Sequence, residues 1–199
     1  VNAILEALSG QPDRRAVLSR LGGVPGIGVL AEEPARVACV FEQQGEPAAQ
    51  VQVETGSLFE RMFLVETGRG CPAGCRFCAV GFARRPPVFF SAEQVARAAA
   101  EGVARGLRIG LVGASLALHP ELGALVERLS ASGADLSPAS LDAAVLAGPA
   151  GEALLANLAR AGQQTFTLAV ESVSESLRRS MTKALSETDL EAAVRRLSR

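Results

Sequence analysis

The sequence has no Trp and no Tyr, and Phe supplies all 8 of its aromatic residues. Platforms for stacking bases are therefore scarce, which counts against single-strand nucleic-acid binding. An excess of one charge is missing too: 20 Lys and Arg stand against 21 Asp and Glu, for a net charge of -1. With no whole-molecule field to grip nucleic acid or an anionic membrane, recognition must be local. Long apolar runs are also absent. The longest stretches of apolar and small residues, such as Ile109 to Leu118, fall well short of the ~20 residues that a spanning helix needs, so no membrane span is expected. Val1-Asn2-Ala3-Ile4-Leu5-Glu6 has neither a basic start nor a long apolar run, and no secretory signal is read there. The start at Val rather than Met suggests a processed or cut-down chain. What is present is a chain of 199 residues, 48% of them hydrophobic, which suits a globular protein rather than a disordered tail.

The character of the sequence changes near residue 60. Before it, Ala3 to Leu8 and Asp13 to Leu21 read as short helices, the second opened by Asp13 as N-cap. Gly22-Gly23-Val24-Pro25-Gly26-Ile27-Gly28 is a turn or linker, since glycine and proline punctuate it too densely for regular structure. Arg36 to Glu42 and Gln50 to Glu54 alternate as strands around the turn-like Gly45-Glu46-Pro47. Residues 1–60 are thus expected to be an accessory or linking region, and 61–199 a core.

That core alternates short apolar strands with helices. Strands are expected at Met62 to Glu66, Arg108 to Gly113, Ala134 to Ser137 and Thr165 to Val170. The first, second and fourth are near-continuous apolar runs, as strands buried on both faces are. Ser91 and Gln94 form a capping box for a helix reaching Arg105, which Gly106 stops. Pro120 suits a first helical position, with Leu122, Leu125, Val126 and Leu129 on one face. Leu154, Leu155 and Leu158 mark a third helix ending at Gly162, and Ser186 caps a fourth. Such alternation implies right-handed crossovers and a parallel sheet, in an open α/β fold or part of a barrel. Four units fall short of the ~250 residues of a full eight-unit barrel, so truncation on the C-terminal side is expected.

Chemistry concentrates in Cys71-Pro72-Ala73-Gly74-Cys75-Arg76-Phe77-Cys78, directly after the first core strand. Three thiols at C-x3-C-x2-C spacing, with no secretory signal, point to a metal or cluster rather than a disulfide framework. A [4Fe-4S] cluster usually takes four Cys. Three from one loop leave an iron open to a substrate or cofactor, as an open zinc site differs from a closed one. Structural zinc is the rival, with His119 as fourth ligand, although His119 before Pro120 also reads as a helix-start residue. Cys39 in Val37-Ala38-Cys39-Val40-Phe41 reads as a small buried hydrophobe, and as a cluster ligand only in a closed electron-transfer site. Arg69, Arg76, Arg84 and Arg85 either face an anionic centre or are solvated. Lys183 is the one Lys among 20 basic residues. The preference for Arg carries no message away from bidentate sites, so Lys183 receives no role.

The cysteine loop, the aromatic Phe77 before its last Cys and the strand-helix units behind it resemble the radical S-adenosylmethionine (radical SAM) superfamily. Phe63 to Pro72 and Cys78-Ala79-Val80-Gly81-Phe82 resemble members with an upstream cobalamin-binding domain, and Leu21 to Val29 resembles their connector. The resemblance implies a partial (β/α) barrel in which Cys71, Cys75 and Cys78 hold a [4Fe-4S] cluster whose free iron is chelated by SAM. One electron then cleaves SAM to methionine and a 5′-deoxyadenosyl radical that abstracts a substrate hydrogen, the protein supplying placement and protection. It further implies Phe77 near the adenine, and Gly113, Ala114 and Ser115 at the strand edge that binds the SAM amino end, without the frequent Gly-Gly-Glu. Glu171 falls at the ribose hydroxyls, Ser137 and Ser140 at weaker polar positions, and Arg178 at the SAM carboxylate. No D-x-H-x-x-G is present, so cobalamin comes only through a domain outside this chain. A flavodoxin- or ferredoxin-type electron donor, a reducing cytoplasm, and methyl transfer or another modification as the reaction are the accompanying expectations. The alternative is an Fe-S electron-transfer or zinc-binding module without SAM chemistry.

Overall fold

A computed structural model describes residues 2–10, 13–27, 45–51, 56 and 59–198. The strand expected at 36–42, Cys39, and residues 52–54 of the next expected strand lie outside the described residues. The chain divides into two units, Val1–Gln44 and Gly45–Arg199. In the first, α1 (Asn2–Leu8) and α2 (Arg14–Gly22) lie against each other. The Asp13 carboxylate opens α2 as expected, accepting from the Arg15 and Ala16 amides at 3.2 Å each.

The second unit begins at Gly45, earlier than the change of composition near residue 60, because residues 45–51 lie along the first core strand. Glu66 N donates to Ala48 O at 2.8 Å, Gln50 N to Leu64 O at 2.9 Å, and Ala49 bridges Val65 antiparallel.

This unit is α/β. Its parallel sheet has the order β1 (Met62–Glu66), β4 (Arg108–Val112), β5 (Leu136–Pro138). A separate antiparallel pair, β2 (Gly68–Arg69) with β3 (Val88–Phe89), closes the base of the cysteine loop. Between β3 and β4 runs α4 (Ala92–Ala104), opened by the expected Ser91/Gln94 capping box. Between β4 and β5 lie a 3-10 turn (Leu116–Leu118) and α5 (Leu122–Ala131). After β5 come α6 (Ala143–Ala147), α7 (Gly151–Arg160), α8 (Glu175–Ser180) and α9 (Glu187–Leu197). A short α3 (Val80–Ala83) follows the cysteine loop.

The strands are less evenly buried than their apolar runs suggest. Phe63 and Val65 of β1 are buried, whereas Met62, Leu64 and Glu66 on its other face are half-buried. One face packs on helices, where Val95 and Ala99 of α4 and Leu125, Val126 and Leu129 of α5 are buried. The other is only partly covered.

Two expectations need correction. Thr165 to Val170 forms no strand; its strand-type pairing among the described residues is a single parallel bridge, Leu141 with Leu168, although Phe166, Leu168 and Val170 pack against the core. Its neighbour β5 spans three residues and ends in Pro138, and Pro offers no N–H to a ladder. Pro120 does not start the helix: α5 begins at Leu122, because the His119 ring takes the Glu121 N–H and shapes a turn before it. The short helix α6 was not anticipated. Among the described residues no helix is long and apolar enough to cross a membrane.

Candidate functional site

The cysteine loop leaves the sheet through β2. Gly70 takes a left-handed φ of 79°, and a Cβ there would lie 2.4 Å from Arg84 O, so the loop can close only on glycine. Ser115 Oγ donates to Gly70 O at 3.1 Å from beneath. Within the loop Cys78 N donates to Cys75 O at 3.1 Å, a tight turn that brings the last two cysteines round together. The turn after α8 backs the loop from outside: Arg76 N donates to Met181 O at 3.0 Å, and the Thr182 hydroxyl donates to Gly74 O.

Cys71, Cys75 and Cys78 are free and half-buried. They line a cavity of about 190 Å³ together with Phe77, Ala114, Ser115, Ser140, Asp142, Glu171 and Lys183. Segments far apart in sequence thus meet at the carboxyl ends of the parallel strands, where open α/β sheets bind ligands. A neighbouring cavity of about 420 Å³ shares Cys75, Asp142 and Lys183 with the first and adds Thr182 and Val145. The Cys75 thiol is pushed up by burial and by its two neighbouring cysteines, against an opposing pull from Lys183.

Three soft thiols on one loop suit an iron-sulfur cluster. Among the described residues no three Cys, His, Asp or Glu side chains converge as ligands of one metal ion. A four-iron cluster takes each thiolate at a separate corner, and three thiols on one loop offer three of the four ligands. His119 cannot complete a zinc site as drawn from the sequence. Its ring is buried, with Nε2 2.8 Å from Phe90 O and Nδ1 accepting from the Glu121 N–H at 3.0 Å. Both nitrogens are occupied, which fixes the neutral tautomer with its proton on Nε2.

The other expected residues divide. Phe77, Ala114, Ser115 and Glu171 line the cavity; Glu171 stands at φ 67°, a left-handed backbone that a non-glycine residue adopts at a cost. Gly113, Ser137 and Arg178 do not line it. A Cβ at Gly113 would meet Thr67 Oγ1 at 2.5 Å, so its bareness serves the join between β1 and β4, where Thr67 donates to Val112 O. Ser137 is held in β5 opposite Gly110, and Ser140, farther along, lines the cavity in its place.

The expectation that Arg178 binds a carboxylate is corrected. Its side chain is completely buried, Nε donating to Leu185 O at 2.9 Å and Nη1 to Ser172 O at 2.6 Å. The cation at the cavity is Lys183, whose Nζ lies 3.3 Å from Asp142 Oδ2. Sequence reasoning left it without a role, although one Lys kept among so many Arg was the available signal. Of the four arginines near the loop, Arg69 is forked onto Glu66 at 2.8 Å for each bond. Arg85 is tied to the carbonyls of Gly81 and Ala73.

The family model described as the radical SAM superfamily matches residues 65–199. Members of that superfamily are enzymes that use an iron-sulfur cluster and SAM. The chain is also similar to an uncharacterized protein of Methanocaldococcus jannaschii, 32% identical over 197 residues, which make up 96% of this chain and 43% of the relative. The chain therefore spans less than half the length of that relative. With the cysteine loop, β4, β5 and the lining of the cavity all inside the matched residues, the chain belongs to the radical SAM superfamily.

Proposed function

We propose that residues 61–199, with the 45–51 segment along β1, are the SAM-cleaving core of a radical SAM enzyme, a partial (β/α) barrel, and that the first unit is an accessory region. The observation that supports this reading is the cavity shared by Cys71, Cys75, Cys78, Phe77, Glu171 and Lys183. When bound, a [4Fe-4S] cluster and SAM supply a one-electron cleavage that yields methionine and a 5′-deoxyadenosyl radical. The chain's own residues hold, orient and shield. Cys71, Cys75 and Cys78 would hold the cluster, Phe77 would bind the adenine and Glu171 the ribose hydroxyls. Ala114 and Ser115 bound the amino end, and Lys183 replaces Arg178 as the partner of the SAM carboxylate, held in place by Asp142.

Arg76, Arg84 and Arg85 are exposed on a stretch, residues 67–92, that contains no Asp or Glu. This favours an acidic electron donor of flavodoxin or ferredoxin type. The reaction served is methyl transfer or another modification in a reducing cytoplasm, and cobalamin, where it takes part, is supplied by a domain outside residues 1–199.

The test is anaerobic reconstitution with iron and sulfide, followed by EPR of the dithionite-reduced protein with and without SAM. A [4Fe-4S] signal that shifts with SAM and disappears in Cys75→Ala is expected. A cluster indifferent to SAM supports the electron-transfer alternative, and stoichiometric zinc in place of iron rejects both.

A further inference from the structure

Arg178 has no part in lining the cavity, yet it is the largest completely buried side chain among the described residues. Burying a guanidinium carries a heavy desolvation cost, and an apolar side chain of similar volume often serves stability as well or better. What Arg178 gains is a set of main-chain ties. Nη1 donates to Ser172 O at 2.6 Å, beside Glu171, and Nε donates to Leu185 O at 2.9 Å, two residues after Lys183. Its own carbonyl accepts from Lys183 N at 2.9 Å. Nη2 makes no hydrogen bond and stands 3.7 Å from Glu187 Oε2.

The two segments tied in this way are strained. Non-glycine residues with positive φ among the described residues are Arg61, Glu171 and Thr182, and the last two bracket α8. Such conformations persist only where their surroundings over-determine them. One guanidinium thus spans two turns that each carry a polar residue lining the cavity, Glu171 and Lys183.

We infer that Arg178 is a positioning residue: it fixes the separation of Glu171 and Lys183 across the cavity mouth and so presets them for the ribose and carboxylate ends of one ligand. The consequence for SAM rests on the reading under Proposed function; the mechanical role does not.

Two variants of the 199-residue chain test it. Arg178→Lys keeps the charge and loses the fork, whereas Arg178→Leu removes the charge together with its desolvation cost, so at least one folded variant is expected. Without any ligand, amide exchange at residues 171–173 and 181–185 is expected to quicken by about tenfold or more, with β1 and β4 unchanged. In the reconstituted protein the SAM concentration that half-converts the EPR signal is expected to rise by about tenfold or more. Iron content and the SAM-free spectrum stay as in the parent, a pattern that general loss of structure does not give.

Unchanged exchange at the mouth, exchange that rises equally in the strands, or failure of both variants to fold overturns the inference. So does a parent that responds to SAM beside variants that respond at the same concentration. A parent cluster that ignores SAM rejects the reading under Proposed function instead, and the exchange measurement still decides Arg178.

Discussion

The sheet and the segment from residue 163 to 186 are built on different principles. β1 and β4 run in parallel register over five pairs, from Met62 opposite Arg108 to Glu66 opposite Val112. Their core side chains Phe63, Val65, Ile109 and Leu111 are all but fully buried. The later segment has one bridge in place of a strand, a six-residue helix and two left-handed turns. Apolar contacts dominate the first, whereas the second adds specific polar ties to the packing of Phe166, Leu168, Val170 and Leu185. A packed sheet keeps its shape whichever single contact weakens, so it makes a rigid floor. A segment whose turns are fixed by specific hydrogen bonds can be aimed without disturbing that floor, and functional groups gather on such loops.

If that contrast is right, stability and binding should separate when each region is altered. The largest loss of stability is expected in the sheet: Leu111→Ala should cost about 2–5 kcal/mol, read from denaturant midpoints at constant m. A cost below that of an ordinary surface change would mean that the strands are not the rigid partner.

A smaller effect is expected at Glu66, which joins β1 to the 45–51 segment through Ala48 N at 3.0 Å and to Arg69. Burial raises its pKa, but the Arg69 fork and the Ala48 N–H outweigh burial and hold the carboxyl below its usual range. Because the folded value is the lower one, the stabilisation is complete above the unfolded pKa and disappears as pH falls through the folded one. Glu66→Gln should therefore cost about 1 kcal/mol at neutral pH and flatten the decline of stability on the acid side. An unchanged acid limb in the variant would remove Glu66 from the account.

The smallest effect on stability belongs to the mouth. Lys183→Ala loses one partly buried ion pair with Asp142, a change of about 1 kcal/mol or less in folding free energy, while the EPR response to SAM should be lost or strongly weakened. Equal damage to folding and to SAM binding would erase the difference between the two regions.

How much could be read in advance follows the same division. The expected strand at Met62 to Glu66 has the bounds of β1, and α4 and α9 open at the expected caps, Ser91 and Ser186. Periodicity and capping are local signals, carried by residues three or four apart. The fourth strand failed because a run of apolar residues shows that a segment is buried, not that its neighbour offers a hydrogen-bonding edge. Arg178, expected at the site, lies buried, and Lys183, given no role, lines the cavity for a related reason. Both are cations near one turn, and only the direction of α8 sends one inward and the other to the cavity.

The cysteine loop, the family it marks and the alternation of strand and helix are all written in short-range spacing. Which polar groups share the cavity with the thiols is a matter of folding in three dimensions. That depends on contacts between residues such as Cys75, Asp142, Glu171 and Lys183, which lie far apart along the chain and meet only once the sheet, its crossovers and the ties of Arg178 have fixed their directions.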